Sequence, residues 1–153
     1  SVKIAQALKL DDDTVSRVRV AGALHDIGKI GISENILNKE GPLDQSEWKI
    51  MKQHPLKSAR ILTGADEYSE IVPIVKSHHE RFDGSGYPDG LKGENIPLES
   101  RIICIADAYD AMTVERPYRK PLNKNEAILE LNRCAGTQFD PEMIAVLSLQ
   151  ILE

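Results

Sequence analysis

Apolar residues recur at three- and four-residue spacing along almost the whole chain, and no segment alternates apolar and polar residues long enough to make a convincing strand. That pattern restricts the fold to an all-α class. A helix is expected to start after Asp11-Asp12-Asp13, with Asp12 or Asp13 as its cap. It would carry Val15, Val18, Ala21 and Leu24 inward and end near residues 25–31. Residues 35–43 read as a loop. Asp44 and Glu47 have capping-box spacing, so a helix is expected from there to about His54. Pro55 would kink or restart it, and a further turn or two would carry Ile61 and Leu62. Another helix is expected over residues 69–79, and Pro97 suits the first turn of one over residues 98–113. Asn123 and Glu126 repeat the box, Gly136 suits a helix stop, and Asp140-Pro141 opens a last helix. The Gly/Pro-rich stretch over residues 83–97 stays a loop. It is long for a compact domain, and such loops often carry function.

A length of 153 residues suits one domain. Helical spacing is already present at Val2, Ile4, Ala5 and Leu8, so the sequence reads as a domain cut from a longer protein. The net charge of −5 argues against general binding to DNA or RNA, which needs a basic surface. It leaves room for a small anionic ligand held by a local group of cations or metals. No apolar run approaches a membrane span and no signal-peptide pattern is present. Cys104 and Cys134 have no metal-binding spacing; Cys104 reads as a core thiol, and a cytoplasmic, reducing compartment fits.

The four histidines all occupy special positions. His25 precedes Asp26, His54 sits at the proline kink, and His78 and His79 close a helix beside the glycine-rich loop. Asp107 lies inside a strongly apolar helix, where an unpaired carboxylate is costly to bury. Imidazole with carboxylate suits divalent iron and manganese, and also zinc. An imidazole binds one metal through one nitrogen, whereas a carboxylate has two oxygens and can join two metals. Several imidazoles with Asp26 therefore suit a site for at least two ions. Paired ions clamp the oxygens of an in-line phosphoryl displacement and need no serine or cysteine nucleophile. Each residue also has a plainer reading. His54 could mark only a kink, and Asp107 could pair with a buried arginine. Asp110 and Glu80 could be ordinary charges, Arg116 and Arg119 solvated cations, Tyr87 loop packing, and Lys29 a helix-end cap.

Taken together, "LHDIGK" at residues 24–29, His54, "HHE" at 78–80, "DGSGYPDGL" at 83–91, "IADAYDA" at 105–111 and "RPYR" at 116–119 resemble the HD-GYP family of HD-domain metal phosphohydrolases. The likeness runs in order over nearly the whole of residues 1–153. It implies a compact helical HD-domain bundle that hydrolyses cyclic di-GMP, a bacterial second messenger, to linear pGpG and in some members to GMP. It implies metal ligation by His25, Asp26, His54, His78, His79 and Asp107, with Asp26 as bridge. Two or three divalent ions are implied, iron or manganese first, with zinc, nickel or magnesium as alternatives. Lys29 and Asp26 would serve catalysis. Lys29, Tyr87, Arg116 and Arg119 would contact substrate. Apart from the resemblance, Asp110 lies one turn on from Asp107, and it and Glu80 could orient a ligand from behind. Gly86, Tyr87 and Pro88 would border the pocket and offer a partner-contact surface to other signalling proteins. The competing implication is a module weak or silent in catalysis that acts through that surface. The family usually carries a further histidine, often with a glutamate, upstream of His25; here those positions would precede Ser1. An upstream receiver or sensor domain would suit the family.

Overall fold

The computed structural model describes residues 1–115 and 120–152, with side chains described as far as residue 149. Among these residues the fold is all helical, with one isolated bridge pairing Ala135 and Phe139. The helices are α1 (Val2–Ala7), α2 (Asp12–Leu24), α3 (Glu34–Leu37), α4 (Gln45–Met51), α5 (His54–Leu62), α6 (Val72–Lys76), α7 (Leu98–Thr113), α8 (Lys124–Arg133) and α9 (Pro141–Leu152). Short 3-10 turns cover Ile27–Gly31, Asp66–Tyr68 and Gly93–Asn95.

Local chemistry explains where the helices begin. The cap of α2 is Asp11, not Asp12 or Asp13. Thr14 selects it, because its N–H and its hydroxyl both donate to the Asp11 carboxylate at 2.8 Å. The box at Asp44 and Glu47 forms as expected, but α4 stops at Met51 and a separate helix starts at His54. Pro55 lacks an N–H and is tolerated only in a first turn, so the chain restarts there. Leu62 is buried and Ile61 is exposed. The helix expected over residues 69–79 shrinks to α6, with proline in its first turn and Ser77 as its C-cap. His78 and His79 therefore sit in the turn just beyond it. Pro97 is the N-cap of α7 instead of lying inside its first turn. Residues 34–37 add a helical turn to the expected loop.

The second capping box is complete. Asn123 accepts from the Glu126 N–H at 3.0 Å, and Glu126 accepts from the Asn123 N–H at 2.9 Å. Asn123→Ala is expected to lower unfolding stability by about 1 kcal/mol, read as a shifted denaturant midpoint at unchanged slope.

Two apolar clusters hold the bundle together. The larger joins α1, α2, α7, α8 and α9 through Ile4, Val18, Ile102, Ile105, Leu131 and Ile144. The smaller joins α2, α5, α6 and α7 through Ala21, Leu62, Ile74, Val75 and Ile103. Long α7 serves both, because Ile102 and Ile105 face one cluster and Ile103 the other. A pair between Arg101 and Asp140 at 2.6 Å ties α7 to the start of α9. The smaller cluster brings together the C-terminal end of α2, the first residue of α5, the turn after α6 and the middle of α7. His25, His54, His78, His79 and Asp107 occupy those four places.

Candidate metal centre

Three of the four imidazoles are aimed by the same device. His25 Nδ1 bonds the Gly22 carbonyl at 2.8 Å, His54 Nδ1 the Met51 carbonyl at 2.8 Å, and His78 Nδ1 the Val75 carbonyl at 2.6 Å. A carbonyl can only accept, so Nδ1 carries the proton in each neutral ring. Nε2 is left with a free lone pair. The His54 and His78 lone pairs converge, with Nε2 atoms 3.3 Å apart, and His79 Nε2 lies 3.1 Å from that of His54. Asp26 Oδ1 lies 3.2 Å from His54 Nε2 and 3.9 Å from His78 Nε2. Donor atoms of Asp26, His54, His78 and His79 all fall within 4.8 Å of one another.

His25 and Asp107 stand at the margin of this group. His25 Nε2 is 3.5 Å from Asp26 Oδ2 and 3.8 Å from Asp107 Oδ1, too far for hydrogen bonds. Both His25 Nε2 and Asp26 Oδ1 are buried with no hydrogen-bond partner. Orphaned acceptors converging in this way repel one another unless a cation lies among them, so the residues present fit a divalent metal site.

The electrostatics agree with that fit. Burial pushes His78 down to about 4 and His79 down to about 3, so both imidazoles are neutral at pH 7 and able to donate lone pairs. Burial also pulls on His25, but the facing carboxylates of Asp107 and Asp26 turn its net shift upward. Burial would raise Asp26, yet the His54 ring and the Lys29 ammonium outweigh it and hold the carboxyl well below the usual range. The facing His25 ring holds Asp107 low. Lys29 sits in the 3-10 turn after α2, and its Nζ pairs with Asp26 Oδ2 at 2.6 Å.

The remaining expected residues are distributed differently. Tyr87 stacks on His79, with ring centroids 5.1 Å apart and planes at 30°. Its hydroxyl is pushed up to about 12 by burial. Lys52 adds a cation 5.3 Å from the Tyr87 ring centroid. Glu80 does not reach back to a ligand: its carboxylate accepts from the backbone N–H groups of Asp89, Gly90 and Leu91. Asp110 is exposed and lines a groove beside Ser1 and Lys124. Gly86 and Pro88 are half-buried in the loop. Arg116 and Arg119 lie outside the described residues. Cys104 is partly buried against the larger cluster, and burial pushes its thiol up to about 12.

Two residues that sequence reasoning missed hold the centre together. Ser58 is fully buried on α5; its hydroxyl accepts from the Gly28 N–H at 2.8 Å and donates to the His25 carbonyl at 2.8 Å. Gly28 packs so closely that a Cβ there would sit 2.2 Å from the His54 carbonyl oxygen. The four-residue spacing of Ser58 from His54, which puts both on one helix face, was the available signal.

The HD domain sequence model matches residues 1–143. The chain is 40% identical over 146 residues to the cyclic di-GMP phosphodiesterase response regulator RpfG of Xanthomonas campestris pv. campestris, covering 94% of this chain and 39% of that protein. It is 42% identical over 146 residues to the 3′3′-cGAMP-specific phosphodiesterase 3 of Vibrio cholerae, covering 94% of this chain and 31% of that protein. The chain thus spans less than half the length of these relatives. The crystal structure of the cyclic GMP-AMP specific phosphodiesterase V-cGAP3 of V. cholerae superposes with a TM-score of 0.77 at 20% identity, over 99% of this chain and 42% of that one. That likeness establishes the fold. With the model match covering nearly its whole length, the chain belongs to the HD-domain family.

Proposed function

We propose that the chain is the hydrolytic module of a metal-dependent phosphodiesterase of the HD-GYP subgroup, cleaving cyclic di-GMP to linear pGpG, to GMP, or to both in turn. One observation carries the reading: three imidazoles and a carboxylate present donor atoms within 4.8 Å of one another at a point where they have too few protons to satisfy each other. His25, Asp26, His54, His78, His79 and Asp107 would hold two or three divalent ions, iron or manganese first. Bound there, such ions supply Lewis acidity toward water and phosphate.

The chain's own groups do the rest. Asp26 turns one oxygen toward His54 and the other toward Lys29 and His25, the disposition expected of a bridge. The Lys29 ammonium stands at the edge of the group and would contact a non-bridging phosphate oxygen. Tyr87 walls one side by covering His79. Arg116 and Arg119 would grip phosphate, as guanidinium forks do. The substrate is the finer part of the proposal. The Xanthomonas relative is named for cyclic di-GMP and the Vibrio relative for 3′3′-cGAMP, so the two dinucleotides are the competing arms of the test. The Xanthomonas relative is also named a response regulator, which supports an upstream receiver or sensor domain and a cytoplasmic setting. Among the described residues no helix is long and apolar enough to cross a membrane. Signalling partners at the loop over residues 86–88 belong to the same reading.

Protein purified anaerobically and loaded with iron or manganese is expected to carry about two metal ions per chain by elemental analysis. It should release pGpG or GMP from cyclic di-GMP, and His54→Ala should lose both metal and turnover. Absence of retained metal, with neither dinucleotide cleaved, would overturn the proposal. Cleavage of 3′3′-cGAMP alone would overturn the substrate and keep the chemistry.

A further inference from the structure

We infer that Glu80 is a positioning residue for the metal centre: its buried carboxylate fixes residues 86–91 so that the Tyr87 ring is held against the His79 imidazole. This rests on the metal-centre reading above.

Glu80 is only 2% exposed. A carboxylate is buried at such depth only when donors satisfy it. Here the donors are three successive backbone N–H groups: Asp89 at 2.7 Å and Gly90 at 3.1 Å on Oε1, and Leu91 at 3.0 Å on Oε2. Charge-assisted bonds to a curved run of amides fix a loop firmly. Two further contacts fold the same loop back onto residues 79–81. The Tyr87 N–H donates to the His79 carbonyl at 3.3 Å. Gly86 lies so near that a Cβ there would fall 2.3 Å from the Arg81 nitrogen and 2.6 Å from the Glu80 Cα.

What this loop positions follows from the imidazoles. His25, His54 and His78 are each oriented by an Nδ1 bond to a backbone carbonyl. His79 differs. Among the described residues the only hydrogen-bonding contact of its ring is through Nε2, the atom that faces His54. Its ring is held between other rings instead: His78 lies tilted against it at 4.1 Å between centroids, and Tyr87 stacks on it at 5.1 Å. His78 is itself fixed by its carbonyl, so the Tyr87 stack is the adjustable part of what orients His79. Support therefore runs from Glu80 to the amides of residues 89–91, to Tyr87, and so to His79. Groups that orient a metal ligand typically change affinity 10- to 100-fold when lost.

The test compares Glu80→Ala, Glu80→Gln, Tyr87→Ala and Tyr87→Phe with the parent protein. In metal-free protein, the ring-proton resonances of His79 are expected to shift in Glu80→Ala and in Tyr87→Ala, because the Tyr87 ring current is lost, while those of His25 stay in place. Tyr87→Phe keeps the ring and should leave His79 unmoved. Amide exchange at residues 89–91 should accelerate in Glu80→Ala. Glu80→Gln retains an oxygen for Asp89 and Gly90 and should fall between parent and alanine, which preserves the comparison if Glu80→Ala folds poorly. Titration with Mn²⁺ should give a dissociation constant about 10- to 100-fold weaker in Glu80→Ala and in Tyr87→Ala, with the double variant no weaker than either single one. Unmoved His79 resonances in the Glu80 variants, or Mn²⁺ affinity within about twofold of the parent in both alanine variants, would overturn the relay. If the parent itself takes up no Mn²⁺, the metal-centre reading falls, and the His79 resonances, read without metal, still decide whether Glu80 sets that ring.

Discussion

Alanine in place of Gly28 is expected to cost about 3 kcal/mol or more of stability and to pull the metal centre apart. The added Cβ would meet the His54 carbonyl oxygen at 2.2 Å, the Ser58 nitrogen at 2.4 Å and the Ser58 hydroxyl at 2.7 Å. Two of those atoms are backbone, so no side-chain rotation relieves the clash. Either the turn after α2 moves away from α5 or the start of α5 moves away from the turn. Both displacements separate Asp26 from His54, now 3.2 Å apart. Both also break the bond from Gly28 to Ser58, leaving buried polar groups without partners. For a chain of this size the thermal midpoint should fall by about 10 °C, with metal content falling alongside it. Ser58→Ala is the matched comparison: it removes the hydroxyl without adding an atom, and should cost only about 1–3 kcal/mol. A Gly28→Ala protein that melts and binds metal like the parent would mean that the turn and α5 do not approach so closely.

That contact also marks the limit of what the sequence discloses. Both capping boxes were legible because the residues that form them lie three apart, and the chemistry is settled within one turn. The Asp11 cap was less so: three consecutive aspartates offer the same group, and only the paired donors of Thr14 distinguish them. The expected helix over residues 69–79 was too long because the apolar residues Ile71, Val72, Ile74 and Val75 mark a helix without marking its ends, and the regular bonding begins only at Val72 and closes at Ser77. Donor residues of the centre could be named from residue type and motif, and the fold brings Asp26, His54, His78 and His79 to one point. Their supports could not. Gly28 and Ser58 meet across 30 residues, and Glu80 finds its partners 9 to 11 residues on, in a loop whose path periodicity does not describe.

Asp26→Asn is expected to reduce metal affinity, and with it the proposed turnover of cyclic di-GMP, by more than about 100-fold, since even groups that merely orient a ligand cost up to that factor. The carboxylate has two separate tasks. Oδ2 takes the Lys29 ammonium at 2.6 Å, and Oδ1 faces His54 at 3.2 Å without a hydrogen bond. An asparagine has a single oxygen. Turned toward Lys29, it presents an NH₂ to the imidazole lone pairs; turned toward them, it sets an NH₂ against an ammonium. Neither orientation restores the negative charge that offsets the ions. Stability of the metal-free protein should change little, because Lys29 is partly exposed and water can solvate it. A thermal midpoint near that of the parent without metal, and well below it with Mn²⁺ added, would separate a lost site from a lost fold. Lys29→Met supplies the contrast. It removes the cation and leaves the carboxylate, so metal should be retained while the rate drops. An Asp26→Asn protein that keeps its ions and its rate would show that another group joins the metals, and the bridge would have to be sought at Asp107.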